Sequence, residues 1–400
     1  MTDRSLLDPN KPWQRALWWA FTVAALALTV STVYLAFLSR RPQSASAAYQ
    51  LAYLAFDHQA SRIMLSDLTG ARARPLSPSA AAQLPPSCAP APVSGERRFL
   101  LAYIEVAASD SLTGTLYLAP TNRGQPVSFG GTLPVLTSAT PAWSPDAKQL
   151  IFATLERLDD GPPPQAAESG VFMLDTETSR TTRIGSVDGQ VIRLSWSSAA
   201  PLVILTWRKD GTYRSALADV RTGQQVFSGE ASLGVWSPTG LEAAAYSGQD
   251  QAVFFFHSSG RESTSALPTP GHVLDLLWLP HWPPSATRPR GRLVALIAAA
   301  DNESDIAVYA CSLDAPSPTW TRLQTGQDAA WHVAASPEGR YLAVSSGSWD
   351  EASDTIRAAI SVYDLGSARP LPFTPSGPAN AFACFLAPAS TAVAASERNP

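Results

Sequence analysis

Pro141-Ala142-Trp143-Ser144-Pro145-Asp146-Ala147-Lys148-Gln149-Leu150-Ile151-Phe152-Ala153-Thr154 reads as strand, tight turn, strand. Trp143 ends the first strand. Pro145 presets the φ angle of a turn and Asp146 caps it. Leu150 to Thr154 then runs apolar with β-branching, as an inner strand does.

The unit recurs along the chain. Leu194-Ser195-Trp196-Ser197-Ser198 leads to Leu202–Leu205, and Gly234-Val235-Trp236-Ser237-Pro238-Thr239-Gly240 leads to Ala243–Tyr246. Leu277-Trp278-Leu279-Pro280 leads, after an insertion, to Arg292–Leu296. Val333-Ala334-Ala335-Ser336-Pro337-Glu338-Gly339-Arg340 leads to Tyr341–Val344. Degenerate copies stand at Pro92–Arg98 and Cys384–Pro388. The Trp-equivalent positions are Val93, Trp143, Trp196, Trp236, Trp278, Ala335 and Leu386, spaced 40 to 57 residues apart.

A second strand element follows most of these turns, as in Val171–Asp175, Ala216–Val220 and Ile360–Leu365. Thr115–Leu118, Val253–Phe256 and Ile306–Ala310 are further examples. Each unit therefore supplies about four strands, the content of one propeller blade. Such a sheet cannot bury both faces alone, but packing it between two neighbours in a closed ring does so. The expected fold is all-β: a single seven-bladed β-propeller over residues 49–396, preceded by one N-terminal transmembrane helix. The repeated tryptophans read as core between blades. Arg62–Gly70 is a third-strand element without its own turn, and Leu386–Pro388 is a turn without a third strand. The two halves complete one composite blade, with Leu51–Phe56 and Thr391–Ala395 both candidates for its second strand.

Trp143–Gln149, Ala335–Ala343 and Arg62–Leu76 together resemble the WD40-like repeat of TolB-type propellers. The resemblance covers about residues 49–396. It implies the propeller fold and, for function, an interaction platform of the cell envelope or an accessory domain. The tryptophan is replaced in the units at 93, 335 and 386, and the turn aspartate is kept only at Asp146.

Leu17–Leu38 is a 22-residue stretch without a charge. As a helix it spans about 33 Å, the thickness of a bilayer core. Trp18 and Trp19 at one end and Tyr34 near the other suit the two interfaces. Residues 1–16 then form a short cytoplasmic tail, 17–38 the membrane helix and 39–48 a linker. Arg4, Lys11 and Arg15 before the helix balance Arg40, Arg41 and Arg62 after it. A short tail before a large domain is the signal-anchor arrangement, which puts residues 42–400 on the external or periplasmic side of a bacterial plasma membrane. Cleavage after Ala45-Ser46-Ala47 is the rival reading.

The 400 residues carry 29 Lys and Arg against 33 Asp and Glu, a formal net charge of -4. That balance gives no footprint for nucleic acid. The 34 prolines and 24 glycines argue for many turns and against a helical bundle. Three cysteines, Cys88, Cys311 and Cys384, make no disulfide framework, and no two have metal-ligand spacing.

Chemistry is sparse. His58, His257, His272, His281 and His332 form no zinc motif. A Gly-x-Ser-x-Gly elbow and a phosphate-binding glycine loop are absent, and Ser345-Ser346-Gly347-Ser348 reads as a loop. No catalytic residue, cofactor or metal ligand is assigned. The insertions Glu156–Ser169, Pro280–Arg290 and Ser346–Asp354 lengthen turns, and loops on rigid scaffolds often carry binding. Trp282, Arg288 and Arg290 in one, and Trp349, Asp350 and Glu351 in another, are the candidate partner contacts.

Three functions fit these features. The first is a membrane-anchored accessory subunit, in contact with lipid through residues 17–38 and with integral membrane proteins. The others are an envelope lyase or hydrolase, and a ligand-binding sensor, with the site in the channel. The enzyme requires Arg, His and carboxylate groups to converge at one mouth of that channel.

Overall fold

The computed structural model describes residues 49–386, apart from 58–59, 72, 77–80, 91–98, 108–111, 121–123, 130, 132, 159–166, 258–259, 281–289, 301–304, 314–318, 324–328, 351–354, 368 and 374–378. The expected helix at 17–38 and Thr391–Ala395 lie outside the described residues. Among the described residues no helix is long and apolar enough to cross a membrane.

Every element among the described residues is a strand. The chain opens with β1 (Gln50–Asp57), β2 (Ala60–Asp67) and β3 (Arg74–Pro75). There follow β4 (Ala82–Gln83), β5 (Ser87–Cys88), β6 (Phe99–Val106), β7 (Thr113–Pro120) and β8 (Val127–Phe129). Next are β9 (Val135–Leu136), β10 (Ala142–Trp143), β11 (Gln149–Leu158), β12 (Ala167–Asp175) and β13 (Thr181–Asp188). Antiparallel four-stranded meanders come after these. They are β14 (Gln190–Trp196), β15 (Leu202–Lys209), β16 (Thr212–Asp219), β17 (Gln225–Gly229); then β18 (Ser232–Trp236), β19 (Glu242–Ser247), β20 (Ala252–His257), β21 (Gly260–Ala266). The last two are β22 (Gly271–Leu279), β23 (Arg292–Ala299), β24 (Ile306–Ser312), β25 (Trp320–Arg322); and β26 (Ala329–Ala335), β27 (Tyr341–Asp350), β28 (Thr355–Asp364), β29 (Arg369–Leu371). β30 (Ala379–Leu386) ends the described chain. β4 to β13 are linked into one ten-stranded sheet, because Thr113 and Gly114 of β7 pair with β9.

The strand after each Trp turn is buried on both faces. Leu150, Ile151, Phe152 and Ala153 of β11 are all inaccessible, as are Leu293 to Leu296 of β23. Alternation sends the two faces to different neighbours. Leu150 and Phe152 pack with Leu116, Leu118 and Trp143, whereas Ile151 and Ala153 pack with Val203, Leu205 and Trp207. In β23, Leu293 and Ala295 pack with Val235 and Phe255, whereas Val294 and Leu296 pack with Val333 and Leu342. A continuous apolar run follows from that double burial.

The Ser-Pro turns lock by one device. The Ser144 N–H donates to the Gln149 carbonyl, and the Ser144 hydroxyl accepts from the Gln149 N–H at 2.9 Å. Ser237 and Ser336 accept likewise from Glu242 and Tyr341, at 3.1 and 2.9 Å. Gly240 and Gly339 take φ values of 70° and 72° in these turns. A Cβ at Gly339 would lie 2.4 Å from the Pro280 carbonyl of the neighbouring turn, so glycine also allows the turns to touch. The tryptophans tie neighbouring inner strands. The Trp143 indole donates to the Ser87 carbonyl at 3.0 Å, and Trp236 to the Ser195 carbonyl at 3.1 Å.

The strands before the turns touch one another in a cycle: β5, β10, β14, β18, β22, β26, β30 and back to β5. β30 pairs antiparallel with β1, from Gln50 opposite Leu386 to Phe56 opposite Ala379. Of the two candidate second strands, the sheet takes Leu51–Phe56, within β1.

The sequence reading named no cysteine pair. Cys88 of β5 and Cys384 of β30 form a disulfide across 296 residues, with Cα atoms 5.9 Å apart. Pairing in the cycle brings together two residues that chain distance separates. Cys311 is the buried free cysteine, its thiol pushed up to about 11 by burial. Closing so long a loop predicts a cost of about 2–5 kcal/mol when the bridge is lost. Cys384→Ser, or wild type in dithiothreitol, is expected to unfold at lower urea, with Cys384→Ser indifferent to the reductant and Cys311→Ser responding to it as wild type does; equal wild-type midpoints with and without reductant would refute the role of the bridge.

Candidate functional site

The inner strands carry a repeating irregularity. Register shifts fall between Val191 and Arg193 in β14, Ser232 and Val235 in β18, Val273 and Asp275 in β22, and Ala330 and His332 in β26. β30 has one opposite the Ala52–Leu54 step of β1. A bulge places one extra residue in a strand and re-aims the side chains beside it. Here Ile192, Leu274 and Trp331 are the extra residues, and Leu233 and Phe382 take positive φ of 56° and 52°. All are apolar and none is fully buried.

The residue three before each Trp-equivalent lines one cavity. Thr140, Arg193, Leu233, Asp275, His332 and Ala383 all face a space of about 740 Å³, which also reaches the Cys88–Cys384 bridge. A second cavity of about 480 Å³ shares Ile192, Leu233 and Leu274 with the first.

Three of these residues converge. Arg193 Nη1 lies 2.6 Å from Asp275 Oδ1, and Arg193 Nη2 donates to the Leu276 carbonyl at 2.8 Å. His332 Nδ1 lies 3.4 Å from Asp275 Oδ2. The Leu276 N–H donates to Asp275 Oδ1 at 2.8 Å. The His332 ring packs on Phe382 with centroids 5.5 Å apart. The group joins β14, β22 and β26, of which β14 and β22 are separated by β18 in the cycle. Burial alone would raise the Asp275 carboxyl, but Arg193 and His332 outweigh it and hold the acid well below the usual carboxylate range. Asp275 is thus a fixed anion that orients a guanidinium and an imidazole at a cavity wall.

None of the three was singled out in the sequence as a site residue. The signal that finds them is their shared offset from the Trp-equivalent. Among the expected contacts, Arg290 is described. Its Nε lies 3.2 Å from Glu242 Oε2 and its guanidinium stands 5.4 Å from the Phe255 ring centroid, so it ties two neighbouring sheets. Trp282, Arg288 and Glu351 lie outside the described residues, as do Trp18, Trp19 and Tyr34. Ser345–Ser348, Trp349 and Asp350 are strand rather than loop or turn. β27 and β28 continue pairing through Trp349 opposite Ile356 and Asp350 opposite Thr355. The alternation needed for pairing outlasts the sheet, and the insertion extends a hairpin.

The fold is a β-propeller. An oligogalacturonate lyase from Vibrio parahaemolyticus is similar at TM-score 0.55, with 13% identity over 80% of this chain and 88% of that one. A functionally unknown protein from Desulfotomaculum acetoxidans is similar at TM-score 0.52, with 12% identity over 84% of this chain and 99% of that one. TolB from Acinetobacter baumannii is similar at TM-score 0.45, with 15% identity over 85% of this chain and 67% of that one. No protein-family model matches the chain, and no curated protein is similar to it in sequence.

Removing Asp275 strands Arg193 in a largely buried place. Asp275→Ala is expected to cost about 3–5 kcal/mol, and Arg193→Met with Asp275→Leu much less. Because the folded carboxyl is depressed, its contribution is complete above the unfolded value of about 4 and is lost as pH falls through the folded value. The urea midpoint difference between wild type and Asp275→Asn is therefore expected to stay constant at neutral pH and shrink below about pH 4. A difference that grew on acidification would contradict the assignment.

Proposed function

We propose that the chain is a membrane-tethered, seven-bladed propeller standing outside the cytoplasm and acting as a docking platform for integral membrane proteins. The observation that carries this reading is the Cys88–Cys384 bridge, because disulfides persist in oxidising compartments and thiols are kept reduced in the cytosol. The cycle of inner strands supports the count of seven blades. The uncharged stretch 17–38 supplies the tether.

The turn face is suited to a partner. Leu241, in the turn after Trp236, is 61% exposed, and Trp196 and Trp236 are half-buried beside Pro238 and Pro337. Aromatic and apolar groups on a rigid rim are the usual anchors of a protein contact. Tyr49, the first described residue, donates to the Glu338 carboxylate on this edge, where burial and then Glu338 raise its phenol. Tyr49 is thereby fixed at the turn face.

A second reading, small-molecule binding in the channel, is favoured by the convergence of Arg193, Asp275 and His332. The two readings are compatible.

Extraction of the full chain in mild detergent, followed by quantitative mass spectrometry, tests the docking role. A reproducible set of membrane proteins at near equimolar ratio is expected, with recovery reduced for Leu241→Asp. A chain that leaves the membrane alone, or partners retained equally by Leu241→Asp, would overturn it.

A further inference from the structure

The channel cavity has walls of one kind and a floor of another. Its walls include Trp143, Trp196, Ile192, Leu233, Leu274 and Leu277. Arg193, Asp275 and His332 are the charged or titratable residues that line it among those described. A space of about 740 Å³ lined by apolar groups with a few fixed polar ones has the size and character of a small-molecule site.

The floor retains unused hydrogen-bonding capacity. A guanidinium has five N–H bonds, and Arg193 spends one on Asp275 and one on the Leu276 carbonyl. The other three have no partner among the described residues, and the side chain is 22% exposed. His332 turns Nδ1 to Asp275, so Nε2 is its free atom, and its side chain is 31% exposed. Neither group can swing away easily, since Asp275 holds both and Phe382 backs the imidazole.

Charge selects the ligand. Arg193 and Asp275 cancel, leaving a neutral floor when His332 is neutral and a single positive charge when it is protonated. A monoanion is balanced there, whereas a dianion is not. Planar carboxylate oxygens also suit the edge of a guanidinium better than a spherical ion does. The bulges in β14, β18 and β22 meanwhile set Ile192, Leu233 and Leu274 along the cavity, where they can hold a hydrocarbon body.

We propose that the channel binds a small monocarboxylate with an aromatic or aliphatic body, its carboxylate accepting from Arg193 and from the Nε2–H of His332 as imidazolium, and its body against Ile192, Leu233 and Leu274. This rests on the channel reading and is independent of the docking role; copurifying proteins bear on the latter only.

Calorimetric titration of the detergent-solubilised full chain with 3-phenylpropionate tests the proposal, with 3-phenylpropanamide and inorganic phosphate as comparisons. Saturable binding of the acid is expected, weakened about 10- to 100-fold in the amide by loss of charge-assisted hydrogen bonds. Phosphate is expected to bind no better than the amide. Arg193→Met with Asp275→Leu removes the floor without leaving a lone charge, and is expected to abolish the preference for acid over amide. Leu274 is 44% exposed, so Leu274→Trp is expected to fold and to fill the cavity, weakening the acid at least about tenfold. Both variants are to be compared at matched melting temperature. No saturable heat with the acid, equal affinity for acid and amide, stronger binding of phosphate, or unchanged binding in both variants would overturn the proposal.

Discussion

Double burial of the second strand in each sheet is the constraint on which the rest depends. Leu150–Ala153 and Leu293–Leu296 have no face that water can reach. A lone sheet with such a strand would expose hydrocarbon on both sides, at roughly 25 cal/mol for each Å². Only a neighbour on each side removes that cost. An open row of sheets would leave two end faces bare, so the first and last segments have to meet. β30 against β1 and the Cys88–Cys384 bridge are how they do so.

Closure has a chemical consequence at the axis. The inner strands come together from segments far apart in sequence, and Arg193, Asp275 and His332 each follow a bulge, in β14, β22 and β26, and line one cavity. Arg193 and Asp275 are separated by 82 residues, and their pairing reaches past β18, the strand between theirs in the cycle. Fixing a buried anion between a guanidinium and an imidazole is costly unless all three are held. The rigid inner strands hold them, and the same stiffness preorganises the wall that faces the cavity.

The fold was legible because its repeat is written locally. Trp143-Ser144-Pro145 and its copies specify a turn with a serine lock, and an apolar run after each turn announces a strand buried on both faces. What escaped was whatever depends on closure. Cys88 and Cys384 are ordinary isolated cysteines until β5 and β30 become neighbours. Arg193, Asp275 and His332 each look like a solvated polar residue near a strand end, and only their common offset from the Trp-equivalent marks a shared inward position. Trp349 and Asp350 were read as turn residues because the serine- and acid-rich stretch around them resembles a loop, yet backbone pairing carries β27 through them. Arg290 followed from the same insertion logic, but its stem and charge are used between Glu242 and Phe255.

Closure of the ring is the central claim, and the disulfide that crosses its seam is the direct way to test it. The protein would be isolated without reductant, alkylated while unfolded and unreduced, digested, and mapped by mass spectrometry. The account predicts a linked peptide pair containing Cys88 and Cys384, with the alkyl group on Cys311. Alkylation of all three cysteines before reduction, or a bridge involving Cys311, would contradict it.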